Sequence, residues 1–304
     1  MAAREKLGDR IRSSSRRAVE RAREARRRRG SGELDRRRRE ALADSAPYIG
    51  LLRAPSAPHP PPTSLRRFRV ATYNVHRWTG LGARPAPDPA RAGFVISELD
   101  ADVIALQEVL LPFGAEDDPI ARLAEQLRLH VAFVVTRVHR RGALGNAVLS
   151  RWPIRSVATL ALPGSRLERR SALAVGFGGA ASSISVVSTH LSLVDRTRQR
   201  QVEYLLGHPH LSEGAVILLG DMNAWRRCRG TRALESRFSE HHNLAWPASF
   251  PAAAPVLALD RIYAEGARVL ELRAHQTAAA RRASDHLPVV ATLELKPGAS
   301  GRVR

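Results

Sequence analysis

The 304-residue sequence has one cysteine and no long apolar segment. The single cysteine, Cys228, excludes an internal disulfide framework and a cysteine-rich zinc site. No apolar run approaches the ~18 residues that would cross a membrane as a helix. The first residues, MAAREKLGDR, also lack the apolar core of a secretory signal. Together these absences predict a cytoplasmic protein.

Acidic residues are few compared with basic ones, and the net charge is +20. Residues 1–62 hold 17 Lys and Arg against 8 Asp and Glu, a net charge of +9, so the remaining residues contribute +11. A basic chain attracts polyanions such as nucleic acid, anionic lipid and phosphorylated metabolites. An Arg-rich coding bias would give the same charge, so charge alone does not choose a partner.

Composition divides the chain into four parts. Residues 1–53 are an Arg-rich extension that is helical or disordered. It either tethers the protein to nucleic acid or to an anionic membrane surface, or is an idle charged arm. Residues 54–66 form a stiff proline-rich linker. Residues 67–294 are the predicted catalytic domain, and residues 295–304 are a basic tail. We expect the protein to be a monomer.

Short apolar runs alternate with helical segments from residue 67 onward. The predicted strands are FRVATYN, ADVIALQEV, HVAFVVTRV, GNAVLS, VATLAL, ALAVGF, SISVVSTHL, GAVILLGD, LDRIYA, VLELRA and PVVATLEL, and the predicted helices are PARAGFVISELD, PIARLAEQLRL and DRTRQRQVEYLLG. The uninterrupted run Val216–Leu219 is typical of a strand buried on both faces. Many strands with few helices predict two packed sheets covered by helices.

Polar residues follow or end several of these strands. They are Asn74, Glu108, His190, Asp221 with Asn223, Asp260, and Asp285 with His286. Carboxylates and amides supply the hard oxygen ligands that suit Mg²⁺ or Mn²⁺, and imidazoles transfer protons. Asp and Asn also cap ordinary turns, so each residue taken alone has a purely structural explanation.

The motifs TYNVH, LQEV, GNAVLS, STHLS, GDMNA, LDRIY and SDHLPV occur in this order between residues 67 and 294. In this order they resemble the endonuclease/exonuclease/phosphatase superfamily, which includes deoxyribonuclease I and exonuclease III. The resemblance implies an α/β fold, a four-layered α/β sandwich with two mixed β-sheets face to face and helices outside. It also implies a metal-dependent hydrolase that cleaves phosphoester bonds by in-line attack of water.

The resemblance assigns roles to the strand-end residues. It makes Glu108 the principal ligand of Mg²⁺ or Mn²⁺, with Asn74 and Asp285 beside the same metal. Asp221 and Asn223 match the pair that aligns the attacking water.

Three further residues complete this implied constellation. His286 matches a histidine beside the scissile phosphate, Asp260 the acid that fixes its tautomer, and His190 a histidine that assists the leaving oxygen. Whether Asp221 or His286 takes the proton stays open at this point.

Four more residues are candidates for substrate binding. Asn146 and Arg170 occupy family-like positions that contact phosphate. Trp225 and Arg226 follow the GDMN motif and offer aromatic surface and charge if their loop borders the site.

The substrate admits three hypotheses. The leading one is a phosphodiesterase or nuclease acting on nucleic acid. The second is a phosphoesterase acting on a phospholipid or a small phosphorylated metabolite. The third is a noncatalytic basic module that binds nucleic acid or a membrane. Two departures from the family pattern weigh against particular substrates. GDMNAWR lacks the Tyr-Arg continuation of inositol phosphatases, and His76 stands where abasic-site nucleases usually have an acid.

Overall fold

The computed structural model describes residues 44, 46–60, 66–81, 87–113, 118–139, 141–164, 168–179, 182–212, 214–239 and 244–297. The predicted N-terminal extension up to residue 43 and the tail from residue 298 lie outside the described residues. In the part that is described, no helix is long and apolar enough to cross a membrane. The fold below belongs to the compact unit Pro47–Arg304.

Twelve strands make up two mixed sheets in the described part of the chain. In chain order they are β1 Tyr48–Arg53, β2 Arg67–Asn74, β3 Val103–Pro112, β4 His130–His139, β5 Gly142–Ser150, β6 Ser156–Leu162, β7 Arg170–Gly179, β8 Ser182–His190, β9 Ala215–Asp221, β10 Asp260–Glu265, β11 Ala267–Ala274 and β12 Val289–Leu295. The first sheet has the order β1-β4-β5-β3-β2-β12-β11 and the second has the order β10-β9-β8-β7-β6. One pair in each sheet is parallel, β2–β3 and β8–β9, and the others are antiparallel.

Helices cover the outer faces of the two sheets. They are α1 Pro89–Glu98, α2 Pro119–Gln126, α3 Asp195–Leu206, α4 Arg229–Arg237 and the short α5 Ala280–Ala283. Asp88 and Asp118 cap the first two helices, each accepting a hydrogen bond from a backbone N–H of the first turn. A proline follows each cap, at the position where a missing N–H costs nothing.

Three apolar cores separate the four layers. The first lies between the seven-stranded sheet and α1, α2 and α5, the second between the sheets, and the third between the five-stranded sheet and α3 and α4. Successive residues of β9 alternate between two of these cores: Ile217 and Leu219 face the other sheet, whereas Val216 and Leu218 face the helices. The four-layered α/β sandwich is therefore confirmed, and so is the prediction that Val216–Leu219 is buried on both faces.

All eleven predicted strands and all three predicted helices are present, but the sequence analysis missed β1, α4 and α5. Strand β1 lies inside the segment assigned to the extension, yet it pairs antiparallel with β4, from Tyr48 opposite Val135 to Arg53 opposite Val131. The proposed domain start at residue 67 is thus too late, because a strand of the larger sheet precedes the proline-rich segment.

Candidate active site

Strand register brings three predicted residues together at one edge of the five-stranded sheet. His190 lies opposite Asp221 on the parallel neighbour, and Asp221 lies opposite Asp260 on the antiparallel one. From the other sheet, the Asn74 side chain donates a hydrogen bond from Nδ2 to Asp221 Oδ2, at 3.1 Å. The two sheets therefore meet at the Asp221 carboxylate.

Glycine is required just before Asp221. Gly220 has φ 148°, and a Cβ at this position would lie 1.9 Å from the carbonyl oxygen of Thr189 on β8. Any larger residue would push β9 away from β8, and with it the carboxylate that follows. The glycine of the GDMN motif thus serves the close approach of two backbones.

The Asp221 carboxylate is buried and surrounded by donors. Oδ1 accepts from the backbone N–H of Asn223 at 2.9 Å, and Oδ2 lies 3.4 Å from His190 Nε2 and 3.8 Å from His286 Nε2. Burial raises the pKa of Asp221 to about 6, against the opposing effect of the His286 charge. The group is therefore ionised at neutral pH but close to the pH at which it takes up a proton.

His286 is held by a buried carboxylate. Its Nδ1 lies 2.7 Å from Asp260 Oδ2, which also accepts a hydrogen bond from the Ser249 hydroxyl at 2.6 Å. Burial by itself lowers the pKa of His286, but the charges of Asp260 and Asp221 outweigh it and raise the pKa to about 10. His286 is consequently a cation at neutral pH, with both ring nitrogens protonated.

His190 has the opposite charge state. Arg170 Nη1 lies 2.9 Å from His190 Nδ1, and because a guanidinium can only donate, Nδ1 must carry a lone pair. Burial, followed by the charges of Arg170 and His286, lowers the pKa of His190 well below its ordinary value. His190 is therefore neutral and directs its Nε2–H toward Asp221 Oδ2.

The loop after β9 is fixed by hydrogen bonds between side chains and backbone carbonyl oxygens. Asn223 has a positive φ of 49°, and its Nδ2 donates to the carbonyl oxygen of Leu191 at 2.9 Å. The buried Arg198 donates to the Asn223 carbonyl oxygen at 2.9 Å and pairs with Asp195 at 2.7 Å. Asp221 and Asn223 thus form a turn as well as a polar pair, since Asn223 N–H closes it on Asp221 Oδ1.

The three residues implied as metal ligands lie on three segments of the chain: the end of β2, a bulge in β3 and the loop before β12. Asn74 ends β2, Glu108 sits in a bulge of β3 with φ 53°, and Ser284, which precedes Asp285, donates to the Asn74 carbonyl oxygen at 2.7 Å. A bulge re-aims a side chain within a strand, which is the effect of the left-handed backbone at Glu108.

A left-handed turn supplies the nitrogen atoms that face these acids. His76, Arg77 and Trp78 have φ values of 44°, 56° and 63°. Arg77 Nε lies 3.2 Å from Glu108 Oε2, and His76 Nδ1 lies 3.3 Å from Asp285 Oδ1. Both nitrogens are buried and make no well-aligned hydrogen bond with the described residues.

Two sets of side chains could supply metal ligands. Asp221, Asp260 and His286 offer atoms within 4.8 Å of one another, and Asp260 Oδ2 and His286 Nδ1 are hydrogen-bonded to each other. Asn74, Glu108 and Asp285 offer hard oxygens, and the two carboxylates are 23% and 30% exposed. Oxygens of this kind are the ligands that hard divalent cations take, so the second set stays the predicted metal site.

The four candidate substrate residues lie around this centre in different ways. Asn146 is buried and donates from Nδ2 to the Ser171 carbonyl oxygen at 2.9 Å, so its amide links the two sheets. Arg170 contacts His190 and, at 3.3 Å, Glu168. Trp225 is 51% exposed and Arg226 is exposed beside it, on the loop after Asn223.

Several supporting residues escaped the sequence analysis. Ser249 donates to Asp260 and Arg198 to the Asn223 carbonyl oxygen, 11 and 25 residues apart in sequence, and Ser284 donates to the Asn74 carbonyl oxygen across 210 residues. Glu168 accepts from Arg170 and, at 2.6 Å, from the Ser192 hydroxyl. Only Ser284 carried a usable signal, because it belongs to the SDHLPV motif.

Comparison with known proteins identifies the family. Residues 71–286 match the sequence model of the Endonuclease/Exonuclease/phosphatase family. Over 263 residues the chain is 30% identical to the uncharacterized protein YbhP of Escherichia coli (strain K12), covering 78% of this chain and 100% of YbhP. The chain belongs to the Endonuclease/Exonuclease/phosphatase family, a group of metal-dependent phosphoesterases, so the predicted family is confirmed.

Solved structures agree with the fold. The crystal structure of an endonuclease/exonuclease/phosphatase from Beutenbergia cavernae DSM 12333 is 26% identical, with a TM-score of 0.60 over 76% of this chain and 72% of that chain. The mannosyl-6-phosphatase Bt3783 of Bacteroides thetaiotaomicron VPI-5482 is 14% identical, with a TM-score of 0.58 over 74% of this chain and 99% of that chain. At that identity the second likeness concerns the fold alone. The family defines the reaction class, and the similar structures leave the substrate open.

Proposed function

We propose that the protein is a Mg²⁺- or Mn²⁺-dependent phosphodiesterase that hydrolyses nucleic acid by in-line attack of water. The observation that carries this proposal is the buried Asp221 carboxylate, which faces a neutral His190, a cationic His286 and the Asn74 amide. An ionised acid, a neutral N–H donor and a fixed cation are the groups that hydrolysis of an anionic ester requires.

Asp221 is the general base in this proposal. With a pKa of about 6 it is ionised at neutral pH, yet basic enough to accept a proton from water as the oxygen attacks phosphorus. The Asn223 N–H and the Asn74 amide hold the carboxylate in one orientation. His286 cannot be the base at neutral pH, because it is already protonated.

The two histidines stabilise charge at different positions. His286, kept cationic by Asp260, offers an N–H and a positive charge to a non-bridging phosphate oxygen. His190 directs its Nε2–H toward Asp221 Oδ2 and, once substrate is bound, offers the same N–H as a neutral donor to the leaving oxygen. Arg170 keeps this tautomer.

A divalent cation would be held by Glu108, Asn74 and Asp285. When bound, it would supply positive charge that neutralises the phosphate and favours attack by an oxygen nucleophile. The Arg77 guanidinium would then no longer be needed as the counter-charge of Glu108, and it would be free to contact substrate oxygens.

The loop after Asn223 supports nucleic acid as the substrate. Trp225 exposes half of its surface, and Arg226 and Arg227 beside it are exposed. The Arg198 guanidinium lies 5.9 Å from the centre of the Trp225 ring and holds it from one side. An exposed ring next to guanidiniums suits a base that stacks and a backbone that is anionic.

A substrate panel tests the proposal. Purified protein with Mg²⁺ or Mn²⁺ should hydrolyse single-stranded or double-stranded DNA or RNA, EDTA should abolish turnover, and phospholipids and inositol phosphates should be poor substrates. Asp221→Asn should fold normally and lose at least ~100-fold in kcat. Asp100→Asn, at the far end of β3 from Glu108, is the matched control and should keep full activity.

The alternatives make different predictions in the same panel. Preferred hydrolysis of a phospholipid or a small phosphorylated metabolite would replace nucleic acid as the substrate but keep the mechanism. Nucleic-acid binding without turnover of any ester would leave a noncatalytic binding module. Near-normal kcat in Asp221→Asn would remove Asp221 from the role of base.

A further inference from the structure

A cleft lined by arginines opens beside the active site. Its lining includes Glu108 and His190 of the candidate site, together with Arg137, Arg169 and Arg170. Arg137 comes from β4 of the larger sheet, whereas Arg170 begins β7 of the smaller one. We refer to the cleft that these three arginines line as the arginine cleft.

Partial burial of the charged Arg137 guanidinium costs free energy. Its guanidinium is half-buried, and burial, followed by the charge of Arg170, lowers its pKa. Among the residues that the structure describes, no carboxylate lies within 4 Å of it. A buried cation without an ion pair gains free energy when an anion binds next to it.

The nearby acids already have partners. Glu108 pairs with Arg77 at 3.2 Å, and Glu168 pairs with Arg170 at 3.3 Å and with the Ser192 hydroxyl. Arg170 also keeps one buried nitrogen, Nε, without a hydrogen bond among the described residues. Arg77 and Arg170 therefore have carboxylate partners, whereas Arg137 keeps a positive charge that a phosphate oxygen would neutralise.

We propose that the arginine cleft binds a second phosphate of the substrate, adjacent to the phosphoester that is hydrolysed. This inference rests on the proposed function for the position of the scissile phosphate. Planar guanidiniums match the oxygens of phosphate in pairs, so two or three of them fix its orientation as well as its charge. The second phosphate is either the next phosphodiester of a nucleic acid chain or a phosphomonoester on a small metabolite.

Matched chromogenic substrates test the cleft. Thymidine 5′-(p-nitrophenyl phosphate) has one phosphate, its 3′-phosphate derivative adds a monoester, and its 3′-(methyl phosphate) derivative adds a diester. Wild-type protein should show a higher kcat/KM for a substrate with two phosphates than for the one with a single phosphate. Preference for the diester would indicate a nucleic acid chain, and preference for the monoester a small metabolite.

Arg137→Gln is the decisive variant. The ratio of kcat/KM for the preferred two-phosphate substrate to that for the single-phosphate substrate should fall ~10–100-fold, the usual loss for one charge-assisted contact. Arg273→Gln, an exposed arginine on β11, removes the same charge elsewhere and should leave the ratio unchanged. An unchanged ratio in Arg137→Gln, or no preference in wild-type protein, would overturn the inference.

A binding measurement separates the failure of this inference from that of the proposed function. If wild-type protein hydrolyses no phosphoester, the proposed function fails. Calorimetry with pyrophosphate on the metal-free protein then still decides the cleft: weaker binding by Arg137→Gln than by Arg273→Gln supports it, and equal binding refutes it.

Discussion

Replacing Asp260 with asparagine tests the charge state on which the mechanism depends. The pKa of His286 is about 10 instead of 6.5 because carboxylates outweigh burial, and Asp260 contributes most to the rise. At ~1.4 kcal/mol per pKa unit, the surroundings favour the imidazolium by roughly 5 kcal/mol. An adjacent opposite charge accounts for a change of ~1–3 in pKa, so His286 in Asp260→Asn should titrate near 7–9.

The assay is a titration of the His286 ring by ¹⁵N NMR in metal-free protein, alongside the pH dependence of kcat. Because the proposed mechanism requires protonated His286, activity should fall as the pH rises through its pKa. In Asp260→Asn this alkaline fall should move to lower pH together with the NMR pKa. Asp102→Asn, which removes a carboxylate bonded to the Arg69 N–H far from the site, should move neither.

Stability should follow the same linkage. Since its folded-state pKa is raised, His286 contributes stability that is complete below pH 6.5 and is lost as the pH rises through about 10. Asp260→Asn should therefore lower the free energy of unfolding more at pH 6 than at pH 10.5. An unchanged pKa of His286, or an activity loss of equal size at every pH, would refute the assignment of His286 as a cation held by Asp260.

Two further predictions concern the metal and the domain boundary. Glu108→Gln should weaken Mn²⁺ binding by at least ~10-fold in calorimetry and remove most activity, because it replaces one of the two carboxylates that would hold the ion; unchanged Mn²⁺ affinity would exclude Glu108 as a ligand. Deleting residues 1–46 should leave Tm nearly unchanged, whereas deleting residues 1–53 should lower it by several degrees, because β1 and the packing of Tyr48 and Leu51 are lost; equal Tm values would show that β1 contributes nothing.

The strands were predictable because their apolar pattern is local. Val216–Leu219 indicates a strand buried on both faces without knowledge of its neighbours, and the alternation between two cores confirms it. Strand β1 was not predictable in this way. YIGLLR is short, adjoins a proline-rich segment, and is defined by pairing with β4, about 80 residues later in the chain. Helix α4, RGTRALESR, has too few apolar positions to show a helical stripe.

The composition of the site was predictable to a similar degree, but its charge states were not. The motifs supplied Asp221, His190 and His286, and register alone explains why the first two are neighbours. The charge state of His286 depends on Asp260, and that of His190 depends on Arg170. Each partner contacts its histidine from another strand. Such long-range contacts leave no periodic signal in a single sequence.

Backbone strain gives Trp78, which follows the first motif, a structural role beside the candidate site. Of the seven non-glycine residues with positive φ in the described part of the chain, five border the site: His76, Arg77, Trp78, Glu108 and Asn223. Each such residue costs ~1–3 kcal/mol, so packing elsewhere must hold it. Trp78 is fully buried and donates from its indole to the Leu110 carbonyl oxygen at 2.9 Å, which anchors the turn beside the bulge that carries Glu108. The tryptophan after TYNVHR is thus a structural requirement of the candidate metal site, because it fixes the strained turn from which Arg77 and His76 reach the acids.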